Sequence, residues 1–150
     1  MWRDYKMARA SYLEQNSGVS DMKLKYEQIA AARTLTAADS GKVFGINQAS
    51  AYEITLPLAA SAGAGWNAKF VLSTVAANAV TIANNTAEDT IVGMVVGADD
   101  GAAGNSAGSA VDEIVFINGA ELGDTVELFC NGINYFAKAV AHDVAHITIS

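Results

Sequence analysis

The chain is short of the residues from which reactive sites are usually built. Its 150 residues include one cysteine, Cys130, one proline, Pro57, and two histidines, His142 and His146. A single thiol closes no internal disulfide, so the chain does not read as a disulfide-stapled secreted scaffold. Cys130 stands in an alternating segment, where an unpaired cysteine behaves as a small buried hydrophobe. Aromatic residues make up 8% of the chain, so its core has to be filled largely by aliphatic and small side chains. Basic residues are few: nine Lys and Arg stand against sixteen Asp and Glu, for a net charge of −7. Phosphate binding needs a basic face, so an acidic body argues against nucleic acid as a partner. No apolar run approaches the ~20 residues of a membrane-spanning helix. The charges at Arg3, Asp4, Lys6 and Arg9 are not followed by the apolar stretch of a signal peptide. The expectation is a protein made in the cytoplasm, with no membrane partner.

Catalytic patterns are missing too. The chain has no phosphate-binding glycine loop, no dinucleotide fingerprint and no His-Glu-x-x-His. His142 and His146 are four residues apart, which would bring them onto one face of a helix as metal ligands. Their surroundings read as strand, where that spacing puts them about 13 Å apart. The expectation is therefore two exposed histidines and no metal. The acids Glu88-Asp89, Asp99-Asp100 and Asp112-Glu113 are sequence neighbours, and neighbours on a strand point to opposite faces, so they form no catalytic pair. Asp99-Asp100-Gly101 with Asn105 lacks the ligand spacing of a calcium-binding EF-hand loop. The expectation is a non-enzyme that uses no cofactor.

What the chain has is strand periodicity. Hydrophobic residues make up 51% of it, ample for one packed domain. Alternation or short apolar runs mark strands at 22–29, 33–36, 42–46, 52–56, 69–74, 79–82, 90–96, 111–117, 124–130, 133–140 and 144–149. Ala38-Asp39-Ser40-Gly41 reads as a turn with an aspartate cap and a glycine at positive φ. Asn131-Gly132 predicts a two-residue type I′ hairpin, setting which of Val126, Leu128, Ile133 and Tyr135 face inward. Residues 97–109, rich in Gly, Ala, Ser and Asp, read as a loop. Short strands about 8–12 residues apart predict an all-β body, sandwich or jelly-roll-like or barrel-like.

Charge divides the chain. Residues 1–33 carry six basic residues and four acids, for a net of +2; residues 34–150 carry three and twelve, for a net of −9. Apolar residues at 2, 5, 7, 8, 12 and 13 allow a short amphipathic helix ended by Ser17-Gly18. The expected organisation is an N-terminal arm, 1–32, on a β body, 33–150. Aromatic and basic side chains are the common anchors of interfaces. The candidate partner-binding residues are therefore Trp2, Arg3, Tyr5, Lys6, Arg9, Tyr12, Lys23, Lys25, Tyr26 and Arg33.

An ordered set of short motifs completes the picture. Thr34-Leu35-Thr36-Ala37-Ala38-Asp39-Ser40-Gly41-Lys42 leads into Tyr52-Glu53-Ile54-Thr55-Leu56-Pro57. Then come Val80-Thr81-Ile82, Asp89-Thr90-Ile91-Val92-Gly93, Asp112-Glu113-Ile114-Val115-Phe116, Gly123-Asp124-Thr125-Val126-Glu127-Leu128 and Asn131-Gly132-Ile133-Asn134-Tyr135. Over about residues 33–138 this order resembles the β-rich domain of tailed-bacteriophage virion surface proteins, chiefly capsid decoration (cement) proteins and head or tail fibres. The resemblance implies a homotrimer on the virion, bound to the major capsid protein of the head. A fibre or receptor-binding module is the alternative it leaves open.

Overall fold

The computed structural model describes residues 24–85, 90–99 and 106–150. Within them the all-β expectation holds: twelve strands form two sheets. The strands are β1 (Lys25–Ile29), β2 (Arg33–Thr34), β3 (Lys42–Asn47), β4 (Tyr52–Thr55), β5 (Ala64–Thr74) and β6 (Val80–Ala83). The second half adds β7 (Ile91–Asp99), β8 (Ser106–Val111), β9 (Glu113–Phe116), β10 (Thr125–Asn131), β11 (Tyr135–Asp143) and β12 (Ile147–Ile149). One four-residue helix, α1 (Ala59–Ala62), precedes β5. The larger sheet runs β1-β3-β5-β10-β11-β7-β8 and the smaller β12-β9-β6-β4-β2.

The first six strands alternate between the sheets. β1, β3 and β5 pair in parallel in the larger sheet, and β2, β4 and β6 pair in parallel in the smaller. The chain thus coils three times around its own core. The connections differ in length from turn to turn, which is why the coil leaves no repeat in the sequence.

Inward side chains stack along these rungs. Ile54, Ile82, Ile114 and Ile149 are direct neighbours across β4, β6, β9 and β12, and all are buried. In the larger sheet Phe44 pairs with Phe70, their rings stacked at 5.4 Å. Trp66 meets the ring of Tyr135 edge-on at 5.7 Å. Both sheets feed this one hydrophobic core. Phe44, Trp66, Phe70, Phe116 and Tyr135 each bring a large apolar area to a core otherwise made of aliphatic and small residues.

Several sequence expectations are corrected. Residues 97–99 and 106–109, expected as loop, belong to the antiparallel pair β7–β8, in which Gly93 faces Gly108 and Val95 faces Ser106. Ladder hydrogen bonds come from the backbone, so a composition without large side chains does not prevent pairing. Residues 111–117 are not one strand. β8 ends in the larger sheet and β9 begins in the smaller, with the amides of Asp112 and Glu113 both donating to the Ser150 carbonyl. The β10–β11 hairpin exists, but Cys130 is the last residue paired, with Tyr135, so the loop has four residues. Asn131 Oδ1 accepts from the Ile133 and Asn134 amides, and Gly132 takes φ +91. The aspartate-like side chain turn replaces the two-residue turn, and Ile133 is left 70% exposed. Residues 25–29, grouped with the arm on sequence, form β1 at the edge of the larger sheet. The expected helix near the N-terminus and the acids Glu88, Asp89 and Asp100 lie outside the described residues.

Candidate functional site

The larger sheet carries large apolar side chains on its outer face as well as on its inner one. Along β10 and β11 the buried positions are Val126, Leu128, Cys130, Tyr135, Ala137, Ala139 and Ala141. The intervening positions, on the outer face, include Phe129, Phe136 and Val140. Phe129 pairs with Phe136, ring centroids 6.5 Å apart, and Phe136 with Val92 of β7. Lys69, Glu127 and Lys138 cross the middle of this face in register, with Lys69 Nζ 3.1 Å from Glu127 Oε1. Leu24, Tyr26, Met94, Phe129, Phe136 and Val140 range from 42% to 68% exposed. Phe129 and Phe136 stand on one side of the charged row and Val140 on the other. Antiparallel sheets with one solvated face normally alternate apolar and polar residues, and here the outer face departs from that.

Three of the expected contact residues fall within the described chain. Lys25 is exposed on β1. Tyr26 lies on the outer face and reaches over Gly45: a Cβ on that glycine would stand 2.0 Å from the tyrosine hydroxyl. Arg33 is held in a four-charge cluster. It bonds Glu27 and Asp39 (3.1 Å), while Lys42 bonds Asp39 (2.7 Å) and Glu27 (3.1 Å). Its guanidinium also lies 5.5 Å from the Phe44 ring centroid. β1 and β2 are edge strands of the two sheets, and the cluster closes the side of the core between them. Charges on edge strands also oppose pairing with another chain. Burial works against the Asp39 carboxylate, but its bonds from Lys42 and Thr36 outweigh it and hold its pKa below the usual value. The bonds from Arg33 and Lys42 lower that of Glu27. Bonds to Asp39 and Glu27 raise that of Lys42. The remaining expected residues, Trp2, Arg3, Tyr5, Lys6, Arg9, Tyr12 and Lys23, lie outside the described chain.

Of the two histidines expected to be exposed, His142 is and His146 is not. A 3₁₀ turn at Val144–His146 breaks the strand and turns both imidazoles onto Asp124, whose side chain has no exposed surface. Asp124 Oδ1 accepts from the His142 amide at 2.9 Å and lies 2.8 Å from His142 Nδ1. Its Oδ2 accepts from the Glu121 amide at 2.8 Å and lies 3.1 Å from His146 Nδ1. Burial raises the cost of charging Asp124, yet these bonds, led by the Glu121 amide, keep its pKa lowered. An ionised carboxylate only accepts, so each imidazole presents its Nδ1–H to it. His142 is half exposed and His146 nearly buried. The bond to Asp124 raises the pKa of His142. A hollow of about 440 Å³ beside them is lined by Ala98, Glu121, His142, Asp143 and His146. Among the described residues no group of three or more His, Cys, Asp or Glu is placed to hold a metal ion. The chemistry this cluster offers is proton uptake within a structural joint.

Reading for aromatic and basic anchors reached the outer face at Tyr26 but missed Phe129, Phe136, Met94 and Val140. The signal lay in neighbouring large residues, Leu128-Phe129 and Tyr135-Phe136, which put bulk on both faces of one strand. Among the described residues no helix is long and apolar enough to cross a membrane. No family model matches the chain, and no curated protein or solved structure matches it.

Proposed function

We propose that this chain is a structural virion protein, a decoration protein that associates with copies of itself as a homotrimer and binds the outer surface of a tailed-phage head. The observation that carries the reading is the outer face of the larger sheet. A two-layer body with Phe129, Phe136, Met94 and Val140 turned outward is built to be covered, and self-association buries such a face. The order of motifs over 33–138 supplies the phage part of the reading, and the major capsid protein is the partner it implies. An acidic body with a net charge of −9 over residues 34–150 suits a protein displayed to solvent.

Sedimentation equilibrium of the purified full chain is the first test. A mass of three chains is expected, and a strict monomer at tens of micromolar sinks the assembly reading. Mixing the protein with undecorated heads of its own phage is the second. Co-sedimentation and a higher temperature of head disruption are expected. Saturable binding to host cells in place of heads would favour a fibre module.

A further inference from the structure

The outer face of the larger sheet holds a groove of about 450 Å³, lined by Phe129 and Phe136 and by Lys42, Lys69, Glu127 and Lys138. Residues 34–150 have three basic residues against twelve acids. All three line this groove, beside a single acid. Two of these lysines are answered within the chain: Lys42 bonds Asp39 and Glu27, and Lys69 bonds Glu127. Lys138 is exposed, and among the described residues no acid pairs with it. Its surroundings are apolar. Phe136 and Val140 are the next outward residues along β11, Met94 stands level with it on β7, and all three are exposed. This face therefore offers one unanswered cation ringed by apolar side chains. Its complement is an acid beside an apolar side chain.

The same chain carries such an element. Among the described residues, and apart from Leu24 in the groove itself, the exposed large apolar side chains outside strands are Leu58, Val75, Leu122 and Ile133. Of these, Leu122 alone has an acidic neighbour in the chain, Glu121. The turn that carries them is firmly held. The Glu121 amide donates to Asp124 Oδ2 at 2.8 Å. The Asp124 amide donates to the Glu121 carbonyl and the Gly123 amide to the Leu72 carbonyl, both at 3.0 Å. Leu122 is nevertheless 60% exposed. An apolar side chain on a fixed turn loses little backbone freedom when it binds.

We propose that the Glu121-Leu122 turn of one copy docks on the outer face of the next, with Glu121 paired to Lys138 and Leu122 packed among the apolar side chains around that lysine. The proposal rests on the reading that the outer face joins copies of this chain, and it names the two surfaces that meet. Knob and socket are different surfaces and each copy has one of each, so the contact repeats around a closed ring. Two copies of an acidic chain repel each other over most of their surface. A lysine set opposite a glutamate is where that repulsion reverses, and such a pair fixes the register of an interface more than it adds affinity.

The test is charge exchange, read by sedimentation equilibrium of the full chain. Glu121→Lys, Lys138→Glu and Leu122→Ser should each weaken association at least about tenfold. The double variant Glu121→Lys/Lys138→Glu again sets opposite charges across the contact and should recover association. Urea midpoints are measured alongside, because Lys138→Glu places two acids opposite each other on β10 and β11. Glu121→Lys creates no such pair, so it decides the matter if Lys138→Glu loosens the fold. Weakening in the single variants with recovery in the double one supports the contact. Undiminished association of folded Glu121→Lys and Leu122→Ser chains overturns it and leaves the assembly reading standing. Weakening by Lys138→Glu alone also overturns it, and gives the socket a different acidic occupant. A folded double variant that fails to recover removes the Glu121–Lys138 pairing. A chain that stays single at every concentration removes this contact and the assembly reading together.

Discussion

His142 Nδ1 lies 2.8 Å from Oδ1 of Asp124, a half-exposed imidazole held by a buried carboxylate. The pair makes stability depend on pH from both sides. The pKa of Asp124 is lowered in the folded chain, so its contribution is present above the unfolded value of about 3.9 and lost as pH falls below it. The pKa of His142 is raised, so its contribution is present below about 6.5 and lost as pH rises through the folded value. From this pair alone, stability is greatest between about pH 4 and 6.5. Urea midpoints across pH should trace both arms, and His142→Ala should flatten the alkaline one. Asp124→Asn, which turns an amide donor toward donors, should cost about 2–3 kcal/mol at pH 6.

The four-charge cluster predicts an ordering of variants. Asp39 is 5% exposed and accepts from Arg33, Lys42 and both the amide and hydroxyl of Thr36. Asp39→Ala should cost about 2 kcal/mol, because the Thr36 amide and two partly buried cations lose their acceptor. Glu27→Gln, at a carboxylate open to solvent, should cost less, since exposed ion pairs contribute little. Equal costs in thermal unfolding would contradict this account of the cluster.

Gly97 is required by closeness. A Cβ there would stand 2.6 Å from the backbone nitrogen of Val144, which cannot swing aside as a side-chain tip can. Gly97→Ala should cost about 1–3 kcal/mol by overpacking. Gly45→Ala meets side-chain atoms alone, the end of Tyr26 and the Ser73 hydroxyl, and should cost less. Paired denaturation curves decide it.

The outer face should separate association from folding. Met94 and Val140 are 53% and 44% exposed, and surface changes away from special features usually stay within about 0.5 kcal/mol. Met94→Asp/Val140→Asp should therefore keep the unfolding midpoint nearly unchanged while lowering the mass measured by sedimentation. Unchanged mass with unchanged stability would remove these residues from the interface.

Cys130 is fully buried, with its sulfur 3.3 Å from the Gly132 amide and 3.6 Å from the Ala59 carbonyl. It should react with a thiol reagent at the rate of global unfolding and no faster. A rapid stoichiometric reaction in native buffer would show the β10 end of the hairpin opening locally.

The sequence by itself determined where strands form and where they stop. Tyr52-Glu53-Ile54-Thr55 reads as β4 because alternate side chains meet core and surface, and Val126, Leu128 and Cys130 are buried for the same reason. Asp39 and Gly41 make the turn read from them: the aspartate accepts from the Thr36 amide and the glycine takes φ +78. These are local effects, set within a few residues. Only the tertiary structure decided which strands pair, because parallel neighbours such as β1 and β3 are joined through a strand of the other sheet. It also decided the fate of the polar residues. Arg33 is committed to Glu27 and Asp39, and His142 and His146 meet on Asp124, 18 and 22 residues earlier in the chain. Pairing of this kind depends on which chain segments pass one another, and alternation along a single strand carries no record of its neighbours.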